Sequence, residues 1–267
     1  MNLKEKFWLF ASRAHDDDIF YAKDGVDLKR CRSRITPGEG AHMLGLRNII
    51  MVSSDGIPVP FSVDAYGYME SFCRMKNVWW TITGSAGCRV GNEEEFILDI
   101  ASKYDNVTGA FADDLFTAGY EPHEVKELLE KSRKILDKAD KHIELWSTNY
   151  IANYKIFAYP EIFEALDGIT VWNMYTEEAR YMEAQFEVYE KLLPQKKKML
   201  GIYLYDYIKR KPISVDDIMH LCELGRRWIK SGKIEGLIFL TNCNMGLGFE
   251  CEYWLRDWIK KVGDEEI

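Results

Sequence analysis

Asp113 and Asp114 stand side by side at the end of a short apolar run, NVTGAFA from Asn106, and are the foremost catalytic candidates in this sequence. The small residues before them would leave space around their carboxyl groups. Side chains alternate across a strand, so one aspartate is expected to face the centre of the fold and the other to face outward. Counting back in twos places Asp114 in phase with the small Thr108, Ala110 and Ala112, which suit a lumen. Asp113 falls in phase with Val107 and Phe111, which suit a helix-facing layer. The count favours Asp114, and a bulge would reverse it. The bland alternative is an aspartate pair capping the next turn.

Cleavage of a glycosidic bond needs a second carboxyl group, about 5 Å away for retention of configuration and roughly 6.5–9.5 Å away for inversion. Asp206 and Asp55 each lie where an apolar run ends. Glu144 lies early in another run, where burial would raise its pKa toward that of a proton donor. Each of the three also has an ordinary structural reading. The run ends carry rings and amides as well: Trp146, Asn149, Trp172, Asn173, Tyr175, Tyr203, Tyr205 and Asn242. Aromatic faces stack on the apolar C–H faces of pyranose rings, while Asn, Asp and Arg match hydroxyl groups. Arg13 and His15 follow the first run, leading into Asp16, Asp17 and Asp18, and with Asp55 they complete the substrate-binding set. Against this, the chain is 13% aromatic throughout, and any single ring also reads as core packing.

Eight apolar runs must position these groups: KFWLFAS from Lys6, NIIMVSS from Asn48, NVWWTIT from Asn77, NVTGAFA from Asn106, HIELWST from His142, GITVWNM from Gly168, KMLGIYLYD from Lys198 and GLIFLTN from Gly236. Each has the length of a buried strand, and the spacing leaves room for a helix between successive runs. Thr36-Pro37-Gly38-Glu39 is a capping box, and Asn92 with Glu95 repeats the pattern. Pro122 opens one helix, Ser214 caps another, and FECEYWLRDWIKKV from Phe249 would close the ring against the first. Gly168, Gly232 and Gly236 fall where helices would end in a left-handed residue. Alternating strand and helix implies a parallel sheet, and eight units favour closure into an α/β (β/α)8 TIM barrel, one domain over residues 1–267. No GxGxxG follows the first strand, which removes the dinucleotide-binding signature. Strand starts are plain, whereas polar and aromatic groups gather at strand ends, where such barrels hold their sites.

Thr108-Gly109-Ala110-Phe111-Ala112-Asp113-Asp114 resembles the fourth strand of glycoside-hydrolase-type barrels, many of which place a catalytic Asp or Glu there. The resemblance covers this motif and the eightfold layout. It implies a carbohydrate-active, glycosidase-like hydrolase with Asp113 or Asp114 as nucleophile or base and Asp206 as a second candidate. Many retaining members carry Glu at the ends of strands four and seven, where this chain carries Asp. The DxxDxDxE pattern of chitinases is absent apart from the terminal acidic pair.

Two other classes compete. A metal-dependent hydrolase or isomerase would use His15, Asp16, Asp55 and Asp114. The chain has only five histidines and no HxH on the first strand, and His42, His123, His142 and His220 fall away from the rim. A non-catalytic sugar-binding barrel is the third class. Gly246-Leu247-Gly248, after the last strand, reads as a simple turn before it reads as a phosphate loop. No GxSxG elbow supports acyl transfer.

The net charge of −8 opposes a nucleic-acid surface, and Lys196-Lys197-Lys198 is too short a basic run to supply one. No run approaches the roughly 20 apolar residues of a membrane span. The six cysteines, at 31, 73, 88, 222, 243 and 251, show no metal-binding spacing and suit reduced thiols. The expectation is therefore a cytoplasmic protein (or a secreted one, if a leader was removed). It would need no cofactor or metal, and its partner would be a small-molecule or oligosaccharide ligand.

Overall fold

The computed structural model describes residues 1–18, 33–150 and 156–267; Cys31 lies outside the described residues. Eight strands form a closed parallel barrel: β1 Phe7–Ala11, β2 Asn48–Met51, β3 Asn77–Thr83, β4 Val107–Ala112, β5 Glu144–Tyr150, β6 Gly168–Trp172, β7 Lys197–Tyr203 and β8 Gly236–Leu240. Every expected run supplies one strand. β8 pairs in parallel with both β7 and β1, so the barrel itself has no open edge. The described helices are α1 Pro37–Leu44, α2 Val63–Ser71, α3 Glu93–Lys103, α4 Pro122–Leu136, α5 Met182–Leu192, α6 Val215–Lys230 and α7 Glu250–Val262. Between β5 and β6 the described residues hold turns of 3-10 helix, at 156–158 and at Pro160–Phe163, and no α-helix.

The barrel interior is a cluster of large side chains, among them Trp8, Phe10, Trp79, Phe111, Trp146 and Trp172. Glycines on neighbouring strands make room for the indoles. A Cβ at Gly109 would come within 2.5 Å of Trp79, one at Gly168 within 2.4 Å of Trp146, and one at Gly201 within 2.0 Å of Trp172. Gly168 is therefore needed for close approach to a ring. A Cβ at Gly236 would likewise come within 2.3 Å of the Lys6 carbonyl oxygen, and of the three junction glycines only Gly232 is left-handed, at φ +73°. Each buried ring contributes roughly 4–6 kcal/mol of burial as an upper figure.

The phase of β4 is the reverse of the simple count. Ala110 and Ala112 pack in the outer, helix-facing core, while Phe111 is inside. The register against β3 shifts between Val78/Val107 and Trp79/Gly109. That bulge absorbs one residue, so Thr108 and Gly109 both look inward and every later side chain changes face.

Helix starts follow local chemistry. The Thr36 hydroxyl accepts from the Glu39 amide, and the Glu39 carboxylate accepts from the Thr36 amide at 2.9 Å. Ser214 caps α6, accepting from the Asp217 amide at 3.1 Å. Asn92 makes no cap: its φ is +66°, and Glu93 instead accepts from the amides of Val90 and Gly91, at 2.6 and 3.0 Å. The last helix, α7, packs against α1, as ring closure requires.

Candidate active site

At the C-terminal mouth lies a cavity of about 230 Å³. Phe10, Trp172 and Leu240, the upper members of the interior cluster, line it below Tyr150, Tyr203, Tyr207 and Met174. Among the described residues its polar lining includes Asp17, Asp113, Asp114, Thr148, Ser54 and Ser85, and no lysine, arginine or histidine.

Both central aspartates reach this cavity. Asp113 continues the inward phase of Phe111 and is 4% exposed. Thr148 Oγ1 donates to its Oδ1 at 2.8 Å. Asp114 lies past the strand in the left-handed region, at φ +50°, which lets a neighbour in sequence share the same face. Tyr150 Oη donates to Asp114 Oδ1 at 2.8 Å, and the Ala86 amide donates to Oδ2 at 3.0 Å. Both Asp114 oxygens thus act as acceptors, the arrangement of an ionised carboxylate. Burial, with the Asp114 charge beside it, raises Asp113 well above the usual carboxylate range. The two neighbours thus sit in unlike environments, Asp113 buried with one donor and Asp114 with a donor on each oxygen. Tyr203 Oη donates to Tyr150 Oη at 3.2 Å, extending the network, and burial pushes both phenols up, so they stay protonated donors.

Asp17 is a third carboxyl group in the cavity. Tyr207 Oη donates to its Oδ2 at 2.6 Å, and Asn244 Nδ2 donates to the same oxygen at 2.9 Å. Burial outweighs these donors and pushes Asp17 up to about 6.

Of the sequence candidates, Asp113, Asp114, Trp172 and Tyr203 meet in the cavity. Several others are placed elsewhere. Glu144 opens β5 at the N-terminal mouth, where Lys197 Nζ binds it at 2.7 Å and the Trp146 indole donates to it at 3.1 Å. Both residues belong to a second depression, of about 380 Å³, at the far end of the barrel. Its carboxylates Glu5, Glu144 and Glu235 are each paired with a lysine, which leaves no acid there for chemistry. Lys197 of the basic run serves that pairing, while Lys196 and Lys198 donate to the carbonyls of Leu166 and Leu193.

Asp206 is 1% exposed in a two-residue ladder, Tyr205–Asp206 against Lys211–Pro212, outside the cavity. Its oxygens accept from Thr176 Oγ1 at 2.7 Å and from the amides of Ile208 and Lys209 at 3.0 and 2.7 Å, so it holds a loop. Asn149 sits between the inward Thr148 and Tyr150, faces outward and donates to Ser147 Oγ at 2.9 Å. Asn242 is fully buried and ties β1 to the loop after β8, donating to the carbonyls of Ser12 and Ile35 at 2.9 and 2.8 Å. Tyr205 stacks on Phe249 beneath the rim. Asn173 accepts from the Tyr175 amide at 3.0 Å, and both residues line a separate crevice beside α5. Asp55 is exposed. Arg13 is ion-paired with Asp16, and His15 contacts Asp18 at 3.2 Å. No group of three or more His, Cys, Asp or Glu among the described residues is arranged to hold a metal ion. Gly246 donates its amide to Glu252 at 2.9 Å, so this turn is held by a carboxylate of its own chain.

The residues that sequence reasoning passed over are Tyr150, Thr148, Tyr207, Phe10 and, as a singled-out group, Asp17. A signal existed for two of them: once Trp146 faces inward, alternation places Thr148 and Tyr150 inward as well.

No protein-family model matches the chain, and no curated protein matches it. Solved structures do. Active domain 2 of a thermostable chitinase from Pyrococcus furiosus superposes with a TM-score of 0.61 at 13% identity, covering 98% of this chain and 97% of that one. The chain shares the closed eight-stranded parallel barrel fold of that domain. A GH18 chitinase from Pseudoalteromonas aurantia matches at TM-score 0.56 and 13% identity, covering 96% of this chain and all of that one. The GH99 endo-alpha-mannosidase of Bacteroides thetaiotaomicron matches at TM-score 0.56 and 9% identity over 97% of both chains. At these identities the likeness is one of fold, and residue roles in this barrel rest on its own cavity.

Proposed function

We propose that this barrel is a carbohydrate-active hydrolase that cleaves a glycosidic bond in the cavity at its C-terminal mouth. The observation that carries the reading is the adjacent pair Asp113 and Asp114, differentiated by environment beside an aromatic wall. Asp113, pushed up by burial and by the neighbouring Asp114, is the group suited to deliver a proton to a leaving oxygen. Asp114, held by Tyr150 and the Ala86 amide, keeps a negative charge close to where an oxocarbenium-like transition state builds positive charge. Trp172, Phe10 and Tyr203 offer apolar faces to a sugar ring.

The test is a digest of defined, unactivated oligosaccharides by wild type, Asp113→Asn and Asp114→Asn. Each substitution is expected to lower kcat by about 10²–10⁴-fold while saccharide binding, read by calorimetry, survives. Full turnover in both variants would sink the reading. Saccharide binding with no turnover by wild type would identify a sugar-binding barrel instead.

A further inference from the structure

Hydrolysis with Asp113 as acid still requires a group that attacks the sugar or takes a proton from the attacking water. Asp114 is ill placed for either, because both its oxygens already hold donors. Asp206 is saturated by its own loop and lies outside the cavity. Asp17 differs from both. It follows β1, which lies across the barrel from β4, with β2 and β3 between them on one side and four strands on the other. Its two donors, Tyr207 and Asn244, share Oδ2, and Oδ1 has no hydrogen-bond partner among the described residues. The space between the two walls, about 230 Å³, leaves room for a sugar ring with a water on the far face.

We propose that Asp17 is the general base of a single-displacement, inverting hydrolysis in which Asp113 is the general acid. This assignment rests on the hydrolase reading above. Asp17 takes a proton from a water on its side of the sugar, and the water oxygen bonds to the anomeric carbon. The glycosidic C–O bond breaks with its electron pair going to the leaving oxygen, which takes the Asp113 proton. One water is consumed. Exchange with solvent then removes the proton from Asp17 and restores the one on Asp113.

Placement on opposing walls is what inversion needs, since a water must fit between base and sugar; a retaining pair sits closer. The surroundings suit the role. Asp16 and Asp18 on its own turn raise Asp17, Tyr207 and Asn244 from the facing loops lower it, and the neighbouring Cys243 thiol is pushed up to about 12 and stays neutral. Asp17 is therefore ionised above about pH 6, while burial and the neighbouring Asp114 push Asp113 upward, the direction an acid needs.

The test uses whichever oligosaccharide wild type hydrolyses and follows the anomeric proton of new product by NMR before mutarotation. Inverted product is expected, together with a kcat about 10²–10⁴-fold lower in Asp17→Asn at similar KM. In Tyr207→Phe the acidic limb of kcat/KM is expected to move to higher pH, because the ionised carboxylate loses a donor. That variant leaves Asp17 in place and reads the same group if Asp17→Asn fails to fold. Retained configuration overturns the assignment while the hydrolase reading stands. So does full turnover in Asp17→Asn beside a dead Asp113→Asn. No hydrolysis by wild type of any oligosaccharide overturns both.

Discussion

Each aspartate in the cavity has a different immediate environment, and the differences come from single neighbours. Thr148 supplies one donor to a fully enclosed Asp113, Tyr150 and Ala86 supply two to Asp114, and Tyr207 and Asn244 converge on one oxygen of Asp17. A raised carboxyl group has a cost in stability. With its folded-state value near 6 and an ordinary value of 3.8, Asp17 holds its proton more tightly folded than unfolded. The folded state then binds more protons, so stability is greatest below about pH 4, falls as pH rises to about 6, and levels off above. The loss is roughly 3 kcal/mol at most, reduced by the partial solvation of this residue. Asp17→Asn should therefore melt higher than wild type at pH 7, with the difference vanishing near pH 4. Melting curves across that window check this, and a constant difference at all pH values would count against it.

At the scale of elements, the indole and glycine pairs decide how the strands present their ends. Trp172 lies over Gly201 of β7 and also lines the cavity, whereas Trp146 lies over Gly168 of β6 and belongs to the opposite mouth. Adding a methyl group at either glycine forces a ring to move, at about 1–3 kcal/mol. Gly201→Ala and Gly168→Ala are thus expected to lose similar stability, several degrees in Tm. Only Gly201→Ala should also raise KM, because only its ring meets the ligand. Equal KM effects in the two variants would show that Trp172 is no platform. The short turns after β2, β3 and β4 act at the same scale. Each carries a left-handed residue, Asp55, Ala86 and Asp114, and the Ala86 turn delivers its amide to Asp114. Backbone held in this region by non-glycine residues concentrates where sites are built.

Across the whole molecule, the two mouths of the barrel divide their labour. The N-terminal mouth is closed by paired charges, with Lys76 on Glu5, Lys6 on Glu235 and Lys197 on Glu144, over an asparagine ladder in which Asn77 donates to Asn48 at 2.8 Å. The C-terminal mouth gathers three carboxyl groups, of Asp17, Asp113 and Asp114, with no cationic partner in the cavity among the described residues, which is unfavourable for stability and useful for chemistry. A saccharide that binds there should raise Tm by mass action, by about 2.7 kcal/mol of stability at one hundred times its Kd. The stabilisation is expected to persist in excess chelator. Stabilisation by a divalent cation alone, abolished by chelator, would bring the first-strand aspartates and His15 forward as ligands.

The sequence by itself determined the architecture, because eight runs of buried-strand length separated by helix-length segments close in few ways other than a barrel. It also pointed to the rim and to Asp113-Asp114, since polar groups crowd one end of otherwise apolar runs. Its reading of individual side chains depended on counting in twos, and the bulge at Thr108 and Gly109 defeats that count. Glu144, Trp146, Asn149, Asp206 and Asn242 have the right types for a site, and strand depth, facing and local hydrogen bonds assign them to the scaffold instead. Asp17, Tyr150 and Tyr207 come together from β1, β5 and the loop after β7 only when the barrel closes. That meeting is long-range packing, and no local pattern in the chain encodes it.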